Sequence, residues 1–232
     1  MLERDNQPTI IGRGAYTPAD AARLVRVPIG RIHRWLEGRS RRYKGEAVFD
    51  PPLWTAEFPQ IEGHLLLSFR DLIELRVVDR FRQNRLSLPY LRKVVEAARS
   101  MLGDTHPFSN VRVKSDGRRL YAEILSATGE PALIDLLSGQ HAFHSIISVG
   151  LKDIVFDNEA ASYWAPEEGK GEVVIDPRRS FGKPVLLHSG IPTRALKLQA
   201  DAGRSPRDIS RDFEVDERSV RAALAFEMAL AA

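Results

Sequence analysis

Residues 16–38, Y-T-P-A-D-A-A-R-L-V-R-V-P-I-G-R-I-H-R-W-L-E-G, constrain the fold most tightly, because two prolines and a terminal glycine fix where helices begin and end. Thr17 and Asp20 stand at capping-box spacing, and Pro18 occupies the first helical position, where a missing N–H costs nothing. A first helix therefore starts at about Pro18. A second opens at Pro28 and stops at Gly38, the residue type most tolerant of the backbone that ends helices. On a wheel of 3.6 residues per turn, Ile29, Ile32, Trp35 and Leu36 share one face, while Gly30, Arg31, Arg34 and Glu37 take the other.

The second helix and the residues just after it are strongly cationic. From Arg23 to Lys44 there are eight basic residues, Arg23, Arg26, Arg31, Arg34, Arg39, Arg41, Arg42 and Lys44, against the single acid Glu37. A strip of that kind attracts phosphates regardless of sequence, although charge runs are often only solvated faces. Capping, apolar stripe, glycine stop and charge together point to a helix-turn-helix that reads DNA. Its expected DNA-facing set is Thr17, Gly30, Arg31, His33, Arg34, Arg39, Arg41, Arg42 and Lys44.

Next comes R-S-R-R-Y-K-G-E-A-V-F-D-P-P-L-W-T-A-E-F-P, whose prolines and aromatics no regular helix accommodates, so it reads as a wing or extended loop. Ser68 and Asp71 repeat the capping spacing before F-R-D-L-I-E-L-R-V-V-D-R-F-R, apolar around much of its circumference and hence a well-buried helix. Ser87 and Pro89 open another, with Leu91, Val94, Val95, Ala98 and Leu102 on one face and Gly103 closing it. Residues 1–105 thus form one expected domain. Its T-P-A-D-A-A-R-L and V-P-I-G-R-I-H-R-W-L segments, wing and L-S-F-R-D-L-I-E-L helix resemble the MerR-type winged helix domain. The resemblance ends beyond Gly103, where such regulators carry one long coiled-coil helix.

The charge is unevenly placed. Residues 1–105 hold 18 basic and 13 acidic side chains, whereas residues 106–232 hold 16 and 18, so attraction for polyanions is concentrated in the N-terminal half. Hydrophobic and charged fractions of 43% and 28% are globular values. With no cysteine there are no disulfides or thiolate metal sites. No run approaches a membrane span and M-L-E-R-D-N-Q-P is not a signal peptide, so a cytoplasmic protein without membrane contact is expected.

Beyond residue 105 the pattern turns to short strands. Val111 and Val113 alternate before Ser115-Asp116-Gly117, and Tyr121 to Leu125 follow, which is a hairpin signal. A-L-I-D-L-L-S-G and L-K-D-I-V-F-D read as further short strands or a strand and a turn, giving a small β-rich connecting region over 106–158. Residues 159–171, small, acidic and glycine-rich, read as a linker. In 172–232, two apolar strands separated by Asp176-Pro177 and Gly182-Lys183-Pro184 precede three helices, Thr193 to Ala202, Ser205-Pro206 to about Phe213, and Asp216 to about Leu230. The fold class is accordingly α+β and mainly α: an N-terminal winged helix-turn-helix, a small central β-sheet, and a C-terminal β-hairpin with three helices in a helix-turn-helix-like arrangement.

The segments I-D-P-R-R-S-F-G-K-P-V-L (175–186), G-I-P-T (190–193), A-G-R-S-P-R-D-I (202–209) and F-E-V-D-E-R-S-V-R-A-A-L (213–224) resemble, in order, a small domain of formally unknown function found in VapB-like antitoxins. His188-Ser189 departs from it where the family often has a glycine, threonine and arginine. The whole arrangement is similar to a VapB-type antitoxin. The resemblance implies a PIN-like ribonuclease toxin as partner, with Arg178, Arg179 and Lys183 as candidate toxin contacts. Arginine pairs carboxylates bidentately and suits such a toxin's metal-binding acids, although a solvated loop is the plainer reading of these residues.

Catalysis is not expected. His141 and His144 lack a carboxylate at ligand spacing, and there is no G-x-S-x-G elbow, phosphate loop or dinucleotide fingerprint, so neither a metal nor a cofactor is assigned. Two functions remain. One is an antitoxin that represses its own operator and binds a toxin; the other is a free-standing MerR-like regulator whose C-terminal half senses a ligand or dimerises. Both imply a homodimer on double-stranded DNA.

Overall fold

The computed structural model describes residues 10–115, 121 and 140–231. Internal packing divides the chain into a unit of Pro18–Glu57 and Arg70–Ala161 and another of Met1–Thr17, Phe58–Phe69 and Ser162–Ala232.

In the first of these, α1 (Pro18–Val25) and α2 (Ile29–Glu37) are followed by the antiparallel strands β1 (Arg39–Tyr43) and β2 (Glu46–Asp50), then α3 (Phe69–Gln83) and α4 (Leu88–Leu102). The core forms around α3, whose Leu72, Ile73, Leu75, Val77, Val78 and Phe81 are fully buried. Each such side chain contributes roughly 1.5–3 kcal/mol of burial, which explains why an apolar circumference dictates a central helix. The expected α4 stripe of Leu91, Val94, Val95, Ala98 and Leu102 is buried, and Gly103 closes the helix with φ 65° and a bond from its N–H to Arg99 O.

Where a strand is expected at Val111–Val113, the chain forms a turn and the one-turn helix α5 (Arg112–Ser115). The reason is local: Asn110 Oδ1 accepts from Arg112 N at 2.9 Å, and Val113 N bonds back to Asn110 O at 3.2 Å. A side-chain cap of this kind outcompetes a strand ladder. The rest of that expected hairpin and A-L-I-D-L-L-S-G lie outside the described residues, apart from the helical, buried Tyr121, whose ring is 5.8 Å from Phe143. Phe143 belongs to α6 (Gln140–Gly150), and its ring packs tilted against that of Phe81 with centroids 5.3 Å apart. The expected strand in L-K-D-I-V-F-D is β3 (Ile154–Asp157).

The stretch expected as a linker instead carries β4 (Ala160–Trp164) and a 3-10 turn at Glu167–Gly169. β4 ends in the second unit, where Trp164 is buried and pairs with Ile175 of β5 (Val173–Ile175). An aromatic that must leave water overrides the small, polar composition around it. β5 pairs antiparallel with β6 (Pro184–Leu186), and α7 (Thr193–Asp201), α8 (Pro206–Phe213) and α9 (Glu217–Ala231) complete the unit. Ser205 caps α8 as its spacing implies, accepting from Asp208 N at 3.2 Å. Thr193 donates its hydroxyl to the buried Glu227 carboxylate at 2.5 Å, tying α7 to α9.

Segments distant in sequence belong to this unit. Tyr16 and Leu67 exchange two backbone bonds of 2.9 Å, and the Tyr16 hydroxyl donates to Gly182 O at 2.9 Å. The ring rests so closely that a Cβ on Gly182, where φ is +81°, would lie 2.1 Å from the Tyr16 oxygen. Gly182→Ala is therefore expected to destabilise the protein by about 1–3 kcal/mol, read as a lower thermal unfolding midpoint; an unchanged midpoint would show that this clamp is not needed.

Candidate nucleic-acid interface

The turn between α1 and α2 is three residues long. Arg26 takes φ +57°, Val27 turns into the core, and Pro28 precedes α2 with its carbonyl accepting from Arg31 N at 2.8 Å. Ile32, Trp35 and Leu36 are buried as expected, but Ile29 is 45% exposed. Its place in the first turn lifts it out of the stripe, so the apolar face is shorter than the wheel implies. Gly30, Arg31 and Glu37 are exposed, and Thr17 is exposed at the head of α1. His33 Nδ1 lies 2.7 Å from Glu37 Oε2.

The two arginines expected to act alike on the outer face differ. Arg31 is exposed and its Nη1 lies 3.5 Å from Asp79 Oδ1. Arg34 is half-buried, and its Nε is shielded from solvent without a hydrogen-bond partner.

After Gly38, where φ is +79° and a Cβ would lie 2.6 Å from Asp50 O, β1 and β2 form a hairpin closed by Lys44 and Gly45 at φ 51° and 89°. Two positive φ values make the two-residue turn that matches strand twist. Every residue of β1 is exposed. Side chains alternate along a strand, so Arg39, Arg41 and Tyr43 share a face with Glu46, Val48 and Asp50, whereas Arg42 lies opposite with Ala47 and Phe49. The basic strip is thereby split. Arg41 Nε donates to Asp50 at 2.9 Å and holds the Asp50 carboxyl below its ordinary range. Arg41 and Lys44 both lie over the Tyr43 ring, at 5.4 and 5.6 Å from its centre.

The hairpin's return is fastened to α3 and α4. Arg92 donates to Pro51 O at 3.0 and 2.6 Å, and Leu53 N bonds to Trp35 O at 2.7 Å. Deeper, Asp71 Oδ1 accepts from Trp54 Nε1 and pairs with His106 Nε2, each at 2.9 Å, and Oδ2 accepts from Glu57 N at 3.2 Å. Beside it, Glu74 Oε1 accepts from Phe108 N and Ser109 N at 2.8 and 3.1 Å, while Oε2 is buried without a partner. Sequence patterning does not single out Asp71, Glu74, Asp79 or His106 for such pairing. The available signal is three acids, Asp71, Glu74 and Asp79, placed among the apolar residues of the helix that forms the core.

Burial pushes the Glu74 carboxyl up to about 8. Burial also acts to lower His106, but the Asp71 hydrogen bond and the Asp71 charge oppose it and that imidazole is raised. A raised acid is protonated in the folded chain where the unfolded chain has ionised, and a raised histidine contributes stability that disappears at higher pH. Both push the same way. Stability should fall as pH rises from about 4.5 to about 8, at up to about 1.4 kcal/mol per pH unit for one proton. Glu74→Gln should flatten thermal midpoints between pH 5.5 and 8; a slope equal to the parent's would remove Glu74 as its source.

In the second unit the candidate toxin contacts separate. Arg178 is exposed and donates from one guanidinium edge, Nε and Nη2, to the two Asp176 carboxylate oxygens at 3.0 and 3.1 Å. Arg179 is drawn into the fold, donating to Leu187 O at 2.7 Å and Leu186 O at 3.2 Å, with Gly190 leaving the space it occupies. It braces the turn after β6 and is not the solvated loop residue of the plainer reading. Lys183 is exposed. A groove of about 620 Å³ in the same unit is lined by Glu172, His188, Glu214 and Asp216 among others. Of the histidine pair, His144 is exposed with Nδ1 3.4 Å from Ser148 Oγ, and the His141 side chain lies outside the described residues. Among the described residues, no group of three or more potential metal ligands occurs, and no helix is long and apolar enough to cross a membrane.

Residues 173–226 match the family described as "Protein of unknown function (DUF433)". The match falls on the segment whose ordered motifs carry the antitoxin resemblance. The chain is 29% identical over 220 residues to "Putative antitoxin VapB45" of Mycobacterium tuberculosis, covering 90% of this chain and 92% of that protein. It is 22% identical over 238 residues to the uncharacterized protein Rv2308 of the same organism, covering 93% and 91% of the two chains. The crystal structure of Rv2018 from Mycobacterium tuberculosis is similar with a TM-score of 0.70 and 26% identity, over 90% of this chain and 96% of that one. The chain is antitoxin-like in sequence along most of its length.

Proposed function

We propose that this chain is the non-catalytic antitoxin of a type II toxin–antitoxin pair. It binds operator DNA through residues 17–44 for autorepression, as a homodimer, and neutralises a PIN-like ribonuclease by direct contact through the DUF433-bearing unit. The observation that carries the reading is similarity to the protein described as "Putative antitoxin VapB45" over nine-tenths of the chain. The DNA-binding half rests on the exposed, cation-rich β1 and on α2, whose surface residues include Arg31. α1, α2 and the hairpin act in this reading as a MerR-like winged helix-turn-helix. The second unit supplies the toxin contact, with Arg178 and Lys183 at its surface and Arg179 supporting the turn beneath them.

On DNA, Arg31→Ala should cost more than Arg34→Ala, because Arg31 is exposed whereas Arg34 is half-buried with its Nε shielded from solvent. An arginine contact to guanine is worth about 1–3 kcal/mol. Arg39, Arg42 and Lys44 variants should weaken binding to all sequences alike, each flattening the salt dependence by roughly one slope unit for the phosphate it no longer neutralises. Mobility-shift titrations across a salt series on the DNA upstream of the chain's own gene measure both; equal losses for Arg31→Ala and Arg34→Ala would contradict the geometry.

On the toxin, co-expression with the neighbouring gene's ribonuclease should restore growth. Charge reversal at Arg178 and Lys183 together should reduce that rescue with the folded protein retained, as circular dichroism would report. Arg179→Ala should destabilise the fold by about 1–3 kcal/mol and lower its thermal midpoint, since it strips hydrogen bonds from two carbonyls. Full rescue by the reversed pair would move the toxin contact elsewhere on this unit.

A further inference from the structure

Asp79 lies on α3, outside the basic strip in sequence, and its side chain is 9% exposed. One oxygen is held from behind: Gln83, one turn along the helix, donates its Nε2 to Asp79 Oδ2 at 2.6 Å, and the Gln83 Oε1 accepts from Arg80 at 2.9 Å. The other oxygen is turned outward, 3.5 Å from Nη1 of Arg31, whose side chain is 56% exposed. Taking a carboxylate out of water is costly, and a partner so solvated returns little.

We propose that Asp79 is the positioning residue for base readout, aiming Arg31 at a base edge and denying it to phosphate. This rests on the DNA-binding reading above. One charge has two effects. Arginine carries several rotatable bonds, and a fixed acceptor on Nη1 restricts which way the remaining edge of the guanidinium faces, which is the condition for bidentate contact with guanine. A phosphate approaching Arg31 also meets the negative charge behind it, whereas a neutral base edge does not. Asp79 therefore lowers affinity for DNA in general and raises the ratio of specific to non-specific binding, the quantity that determines occupancy of an operator. Gln83 serves by holding Asp79 in that rotamer.

The test uses the full chain, a duplex enriched by the parent protein from a random library, and a scrambled duplex of the same composition. Asp79→Asn keeps the shape and removes the charge. It should lower the ratio of affinities for the two duplexes by about ten-fold or more while leaving scrambled-duplex binding equal or tighter. A merely structural role would weaken both duplexes together. In an Arg31→Ala background, Asp79→Asn should change the ratio by less than two-fold, because the residue it positions is gone. An unchanged ratio for Asp79→Asn, or a full-sized effect without Arg31, would overturn the proposal while the DNA-binding reading stands. If the parent chain enriches no duplex at all, that reading fails and this one with it.

Discussion

The buried carboxylate of Asp71 is the point on which the candidate DNA-binding surface depends. Its oxygens meet the Trp54 indole, the Glu57 backbone and His106, so one side chain of α3 gathers the return of the hairpin and the loop after α4. A carboxylate is driven into a core only when its acceptor capacity is filled, and here the chain fills it with donors from two separate segments. The hairpin itself has no core, since every residue of β1 is exposed. Its placement is inherited from this junction and from the Pro51, Leu53 and Gly38 contacts at its base.

Elements governed by local rules were legible in the sequence. Pro18, Pro28 and Gly38 delimit the first two helices, the Leu91 to Leu102 stripe and Gly103 delimit α4, and Ser205 caps α8. What was not legible depends on partners far along the chain. Nothing near Trp164 announces a strand, because the reason for β4 is its pairing with β5. Ile29 fits the helical period of the core yet is exposed, since period alone does not say where a neighbouring element stops. Arg178 and Arg179 are adjacent and chemically identical. Only the fold distinguishes the one pairing with Asp176 at the surface from the one bonded to the Leu186 and Leu187 carbonyls.

The same distinction sharpens the functional reading. Counting charges gives a uniform basic strip, whereas the strand register divides it, with Arg41 paired to Asp50 on one face and Arg42 on the other. Arg31 combines exposure with a buried acceptor behind it. Specificity in this account lies in few residues, and bulk attraction for phosphate lies in the remainder.

The central claim is that one chain engages DNA and a co-encoded ribonuclease at the same time. Native mass spectrometry of the two proteins expressed from their own operon, mixed with a duplex carrying that operon's promoter, tests it most directly. The account predicts an assembly containing at least two copies of this chain, the ribonuclease and the duplex. A spectrum in which this chain appears free of both the ribonuclease and DNA would contradict it.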